Sequence, residues 1–403
     1  MAHGVEAVSD ATLTIDSLHA VQTVIAEAGV DGWLLFDFRG INPIALGVLG
    51  LAKPGTRRIA AWIPANGTPV ALSHAIEQAA WAHWPASWPR TVYATWQDFE
   101  RFIATHVAGR RVAMEYSARD AIPYIDRVPA GVVDLVREAG ATIESSSAIV
   151  TRLYAVWTPA QTAAHERAAE LVAGIAHEAA VRAGAAADAA TPLTEFALVQ
   201  WIAERFAHAG LVTGSLPHVA AGVNAADPHY TPSAESSAPI VRDQLLLIDL
   251  WAREPEGIYA DQTWMASLGA PSSRALEVWT AVRDARDAAA HFLRERLWTG
   301  VPVRGAEADD VARGVLRERA LSDWFTHRTG HSIDARELHG AGPHLDGLET
   351  RDDRLLLPGV GFSIEPGVYI PGEIGVRSEV NAYVGVDGLV VTPRAPQRDL
   401  WIV

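Results

Sequence analysis

The alternation of hydrophobic and polar positions changes period several times along the chain. Residues 17–28 carry apolar side chains at helical spacing up to Gly29, and the unbroken apolar run 33–36 that follows reads as a buried strand. Runs 58–63 and 69–73 flank Asn66-Gly67 and predict a hairpin with a slightly longer loop. Residues 111–116 predict another strand, followed by a helical pattern. Thr158, Pro159 and Gln161 then combine an N-cap, a first-turn proline and a capping-box partner ahead of a long alanine-rich helix. A domain boundary is expected there, dividing the chain into residues 1–156 and 157–403.

Beyond that boundary, helical periodicity covers 158–183, 194–209, 272–297 and 307–319. Strand-like segments lie at 244–251, 257–266, 361–370 and 376–384, with Gly and Pro punctuation that favours hairpins over crossovers. The expected fold class is α+β: a mixed α/β first domain, then a domain built on a mainly antiparallel sheet covered by helices. No short-period repeat, heptad array or low-complexity tail breaks this plan. The alanine-rich stretch 180–190 reads as helix and codon bias rather than as function.

Length and composition narrow the function classes. The 403 residues suit two or three domains, and 49% hydrophobic with 20% charged residues is the balance of a soluble globular protein with buried cores. A net charge of -15 repels phosphate backbones and anionic lipid, and no basic run along the sequence offsets it, so neither nucleic acid nor a membrane surface is an expected partner. With no cysteine, thiolate nucleophiles, disulfides and Cys-ligated metals are excluded together. Lys53 is the only lysine and precedes Pro54, which removes a P-loop and leaves one Schiff-base candidate. No serine sits in a Gly-x-Ser-x-Gly frame, so metal-activated water becomes the leading route to hydrolysis. Residues 1–10 carry Glu6 and Asp10 without the apolar stretch of a secretory signal, and no apolar run is long enough to span a bilayer; a cytoplasmic protein is expected.

The candidate chemistry lies where acids interrupt apolar strands. Asp249 stands inside Leu245-Leu246-Leu247-Ile248-Asp249-Leu250-Trp251, where an unpaired charge costs several kcal/mol, so something positive should meet it. Asp261 repeats the conflict in Ile258-Tyr259-Ala260-Asp261, and two facing carboxylates need a proton or a cation between them. A hydrogen-bonded structural aspartate is the alternative for each. Glu365 and Glu379 follow in strand-like text separated by a Pro/Gly-rich turn, and His331 lies between the two acid pairs, where an imidazole could complete an oxygen-rich metal site. His327 and His331 have zincin spacing, but Arg328 stands where that motif needs Glu.

The series Asp249, Asp261, His331, Glu365, Glu379 resembles the metal ligands of the pita-bread metallopeptidases, which include aminopeptidase P, prolidase and methionine aminopeptidase. The matching local texts are Ile248-Asp249-Leu250, Tyr259-Ala260-Asp261-Gln262-Thr263, Thr329-Gly330-His331, Ile364-Glu365-Pro366-Gly367 and Val376-Arg377-Ser378-Glu379. With weaker motifs, residues 1–156 resemble the creatinase-like N-terminal domain of aminopeptidase P and prolidase, and 157–403 the pita-bread catalytic domain.

The resemblance implies two divalent ions per chain (manganese, cobalt, zinc or iron). Asp249 would hold one, Asp261 and Glu379 would bridge both, and His331 with Glu365 would complete the other. It implies hydrolysis of Xaa-Pro bonds in short peptides by a metal-bridging hydroxide, with His229, His339 and Glu365 as catalytic groups, Thr263 and Arg377 supporting the ligands, and a homodimer. Arg377 would orient Glu379 through a charge-assisted bond. Trp264 and Asp334 depart from the family pattern at positions expected to border the pocket, and the steps from Asp249 to Asp261 and from His331 to His339 are each one residue longer than usual. The alternatives are hydrolysis of a small non-peptide C–N bond, as in creatinase and ectoine-hydrolase relatives, or a non-catalytic binding protein that kept the fold.

Overall fold

The computed structural model describes residues 12–403, so the opening segment with Glu6 and Asp10 lies outside the described residues. The chain divides into two compact units, Met1–Val156 and Trp157–Val403.

In the first unit the short apolar runs become central strands. β1 (Gly32–Asp37), β2 (Ile59–Pro64) and β3 (Val70–His74) pair antiparallel, while β4 (Arg90–Tyr93), β5 (Arg111–Met114) and β6 (Thr142–Ser145) join in parallel, in the order β4-β3-β2-β1-β5-β6. Every residue of β1 and β2 is buried, as expected for strands covered on both faces. The helices are α1 (Leu18–Glu27), α2 (Pro43–Val48), α3 (Trp96–Val107), α4 (Ala130–Glu138) and α5 (Ser147–Tyr154). Phe99, Phe102 and Ile103 of α3 and Val133 and Val136 of α4 pack on Leu34, Phe36 and Trp62. The strand expected at 111–116 ends at Met114, because the Glu115 carbonyl accepts instead from the N–H groups of Arg127 and Val128.

The second unit opens with the capped helix read from the sequence. In α6 (Pro159–Ala186) the Thr158 hydroxyl accepts from Gln161 N–H at 3.2 Å and the Gln161 side chain accepts from Thr158 N–H at 2.8 Å. α6 and α7 (Glu195–His208) cover one face of a sheet of β7 (His218–Ala221), β8 (Leu245–Ala252), β9 (Ala260–Ser267) and β16 (Trp401–Ile402), ordered β16-β9-β8-β7. Ala168, Ala176, Ala179 and Ala183 of α6 meet Leu246, Ile248, Leu250 and Ala266 of the sheet, so the small side chains let the helix lie close to the strands.

A second sheet, β10 (Ser332–Ile333), β11 (Gly361–Ile364), β14 (Val380–Gly385) and β15 (Gly388–Thr392), is wholly antiparallel. β12 (Gly367–Ile370) and β13 (Ile374–Arg377) form a separate hairpin, and α8 (Ser273–Trp298) and α9 (Gly305–Glu318) complete the unit. Both C-terminal runs expected as single strands are therefore broken, one at Glu365-Pro366 and the other at Ser378-Glu379. Proline lacks the N–H that a continuous ladder needs at the first break. Among the described residues no helix is long and apolar enough to cross a membrane.

Candidate metal centre

Strand alternation sorts the residues of β8 and β9 onto two faces. Asp249 stands opposite His218 on β7 and Thr263 on β9, and Asp261 stands opposite Trp251, so these side chains share the face turned away from α6. Ile248, Leu250 and Trp264 take the helix-covered face. Trp264 therefore does not border the site as expected. It stacks on Trp401 at 4.8 Å and donates its indole N–H to Gln262 Oε1, because a residue one step along a strand from Thr263 must point to the other side.

Glu379 arrives from the break between β13 and β14, and Asn381 ties that segment to β9: its side chain accepts from Asp261 N–H and donates to Asp261 C=O, both at 2.8 Å. His331 arrives on a loop fixed from α9. Asp309 Oδ1 accepts from the N–H and hydroxyl of Thr329, and the Thr329 carbonyl accepts from Glu365 N–H at 2.7 Å. Gly330 is obligatory between them, since a Cβ there would lie 1.9 Å from the Ser363 carbonyl oxygen. The Ser363 hydroxyl accepts from His331 N–H and donates to Glu365 Oε1 at 3.0 Å.

These constraints bring Asp261, His331 and Glu379 together, with one ligand atom from each lying within 4.8 Å of the others, all buried. His331 Nδ1 faces the Ser332 carbonyl at 3.1 Å and so carries the proton, which leaves Nε2 as a bare donor atom 3.2 Å from Asp261 and 3.5 Å from Glu365. Glu379 Oε2 accepts from the Thr263 hydroxyl at 2.8 Å, whereas Oε1 is buried with no hydrogen-bond partner. Burial first, and then repulsion from the neighbouring acids, raises Asp261 and Glu379 well above the usual carboxylate range. Hard oxygen donors, one imidazole nitrogen and an orphaned carboxylate oxygen suit a divalent cation.

The positive group demanded by Asp249 is Arg377, which forms a close ion pair with it. This corrects the role expected for Arg377. It touches Asp249 directly, and its Nε donates at 2.8 Å to the Thr263 hydroxyl, which donates in turn to Glu379. A third Arg377 nitrogen lies 3.3 Å from the Tyr369 hydroxyl, which is also 2.9 Å from His327 Nε2. Burial pushes Tyr369 up to about 12.

His339 packs beside His331 with ring centroids 4.2 Å apart, and its pKa is pushed down first by that neighbour and then by burial. His229 is exposed, and among the described residues no hydrogen bond or ion pair joins its side chain to the acids. Asp334 does not face the cluster as a bare carboxylate. Its oxygens accept from the N–H groups of Arg336, Glu337 and Ala341 and fold the loop that carries His339. Sequence reading missed His218, whose Nδ1 lies 3.8 Å from Asp249, as well as Asn381 and Tyr369. Asn381 carried the same signal as the acids, a polar residue inside apolar strand text; His218 is visible only once strand register is known.

Residues 138–385 match Metallopeptidase family M24. The chain belongs to this family. Within its matched relatives, this M24 chain is 31% identical over 189 residues to a probable dipeptidase PepE of Mycobacterium tuberculosis, covering 47% of this chain and 45% of the relative. It is 34% identical over 170 residues to an Xaa-Pro dipeptidase of Lactobacillus helveticus, covering 42% of each. The matches thus span less than half the length of these curated relatives. Solved structures extend the likeness to nearly the whole M24 chain. A dipeptidase PepE from Mycobacterium ulcerans superimposes with a TM-score of 0.72 at 24% identity, covering 96% of this chain and 97% of that one. A prolidase from Thermococcus sibiricus gives 0.66 at 19% identity over 97% and 100%. At these identities the likeness concerns the fold, and the α+β pita-bread architecture expected from the sequence is borne out.

Proposed function

We propose that this chain is a dinuclear-metal hydrolase that cleaves Xaa-Pro bonds of short peptides. The observation that carries the reading is the buried cluster of Asp261, His331 and Glu379, with Glu379 Oε1 left without a partner. In this reading Asp261, His331 and Glu379, with Asp249 and Glu365 beside them, would hold the ions. When bound, the ions supply Lewis acidity, which acidifies water and polarises the scissile carbonyl. The protein contributes the rest. Ser332 fixes the His331 tautomer, Thr263 orients Glu379, and Arg377 pairs with Asp249. Glu365, aimed by the Ser363 hydroxyl, handles the proton passed to the leaving amine; His339 and His229 contact the peptide. Proline's tertiary amide has no N–H, so selection for it rests on shape and on anchoring the short peptide's termini.

Metal analysis coupled to hydrolysis tests this. Protein loaded with manganese or cobalt should hold two ions per chain and cleave Ala-Pro or Ala-Pro-Ala faster than the Ala-Ala counterparts. Full activity after chelation with less than one ion per chain would overturn the dinuclear reading. A metal-loaded protein inert on every proline peptide but active on small amides would move the assignment to the non-peptide C–N hydrolases. We also infer a homodimer, for which light scattering at micromolar concentration is the direct measurement; a monomer would contradict it.

A further inference from the structure

The net charge of -15 conceals a place where the local sign reverses. A cleft of about 790 Å³ opens between α8 and residues 391–399, lined by five arginines and three aspartates. No basic run marks it in the sequence, because its arginines come from two segments far apart along the chain. Two of the aspartates are already engaged: Asp284 by Arg283 and Arg319, and Asp287 by Arg286 through two hydrogen bonds of 2.9 and 2.7 Å. Arg286 is only 2% exposed and also donates to the Ser378 hydroxyl at 2.7 Å, so its guanidinium is held fixed in the cleft wall.

That leaves Arg294, Arg394 and Arg398. Their side chains make no hydrogen bond or ion pair among the described residues; Asp399 lines the cleft with them, and Glu170 accepts from the Arg394 backbone N–H at 2.8 Å. Unpaired guanidiniums gathered around one concavity repel each other and focus a positive potential into it. Each presents a planar fork of donors that matches the oxygens of a phosphoryl group, and the volume admits a molecule larger than a single ion.

We propose that this cleft binds a small phosphorylated anion, separately from the carboxylate cluster. The probe is inorganic phosphate, titrated calorimetrically into the metal-loaded full chain at fixed ionic strength. Saturable binding is expected, weakened about tenfold for each of Arg294→Ala, Arg394→Ala and Arg398→Ala. Asp399→Asn should tighten it, because a carboxylate that no arginine of the cleft engages is removed from its lining. All four side chains lie at the surface, so circular dichroism should be unchanged. No saturable binding at millimolar phosphate would overturn the proposal. So would binding that survives the triple alanine variant, since that phosphate would sit elsewhere, the metal centre included.

Discussion

Glu379 has one carboxylate oxygen bonded by Thr263 and the other facing no donor, with three further acids close by. In protein stripped of metal, Glu379→Gln should therefore raise stability by about 1–2 kcal/mol while destroying divalent-ion binding, the opposite of what a structural glutamate would do. Calorimetry of chelated samples with metal analysis reads both; a lower melting temperature for the chelated variant contradicts the account. Arg377→Met should cost about 3 kcal/mol by leaving Asp249 buried without its counter-charge, and Asp249→Asn in the same chain should recover part of that loss. Urea unfolding of the two single variants and the double variant gives the coupling; simple additivity would mean the pair is not the reason. At this scale the ligand candidates were legible because an acid inside an apolar strand is a conflict visible in one dimension. His218 was not, because only the β7–β8 register sets it beside Asp249.

The two strands that break are the two that deliver glutamates. Sequence pattern marks 361–370 and 376–384 as continuous, since apolar residues run through both, but Pro366 cannot donate to a ladder and Glu379 lies between two separate pairings. A strand interrupted at that point can turn a carboxylate toward a site that neither sheet face would reach. The His331 loop depends likewise on close backbone approach. Gly330→Ala should cost about 1–3 kcal/mol and weaken metal binding, because its Cβ would sit 1.9 Å from the Ser363 oxygen. Gly174→Ala on the exposed side of α6, where a Cβ meets nothing within 4 Å, should instead stabilise by about 0.5–1 kcal/mol. Thermal unfolding of this pair checks the argument; equal effects would mean that helix propensity or chain entropy, not the close approach, governs both.

For the molecule as a whole, one part of the pH dependence comes from buried neutral histidines, opposed in chelated protein by the raised carboxyls of Asp261 and Glu379. His165 on α6 accepts from the Thr392 hydroxyl at Nε2 and donates from Nδ1 to the Tyr259 carbonyl, both at 2.8 Å, and burial lowers its pKa from 6.5 to about 4. The unfolded chain takes up this proton more readily. The contribution is therefore complete above about pH 6.5 and is lost progressively as pH falls toward 4, amounting to about 3 kcal/mol in all. Burial also lowers His218, His327 and His344, which steepens the slope in the same direction. Denaturant unfolding of chelated protein across that window should show His165→Gln losing about one proton's worth of pH dependence. An unchanged slope would place the proton elsewhere.

By itself the sequence determined the helix starts, the hairpin text, the α+β class and the acids that must find a cation or a proton. Those follow from local rules: capping chemistry at Thr158, strand periodicity around Asp249, and the cost of an unpaired buried charge. Tertiary structure decided which side chains share a face, that Trp264 turns to the helices, that Arg377 pairs with Asp249 and bonds to Thr263, and that arginines distant in sequence form one cleft. The reason is that register and the packing of one sheet against another are set by contacts between residues far apart in the chain, so no local pattern carries them.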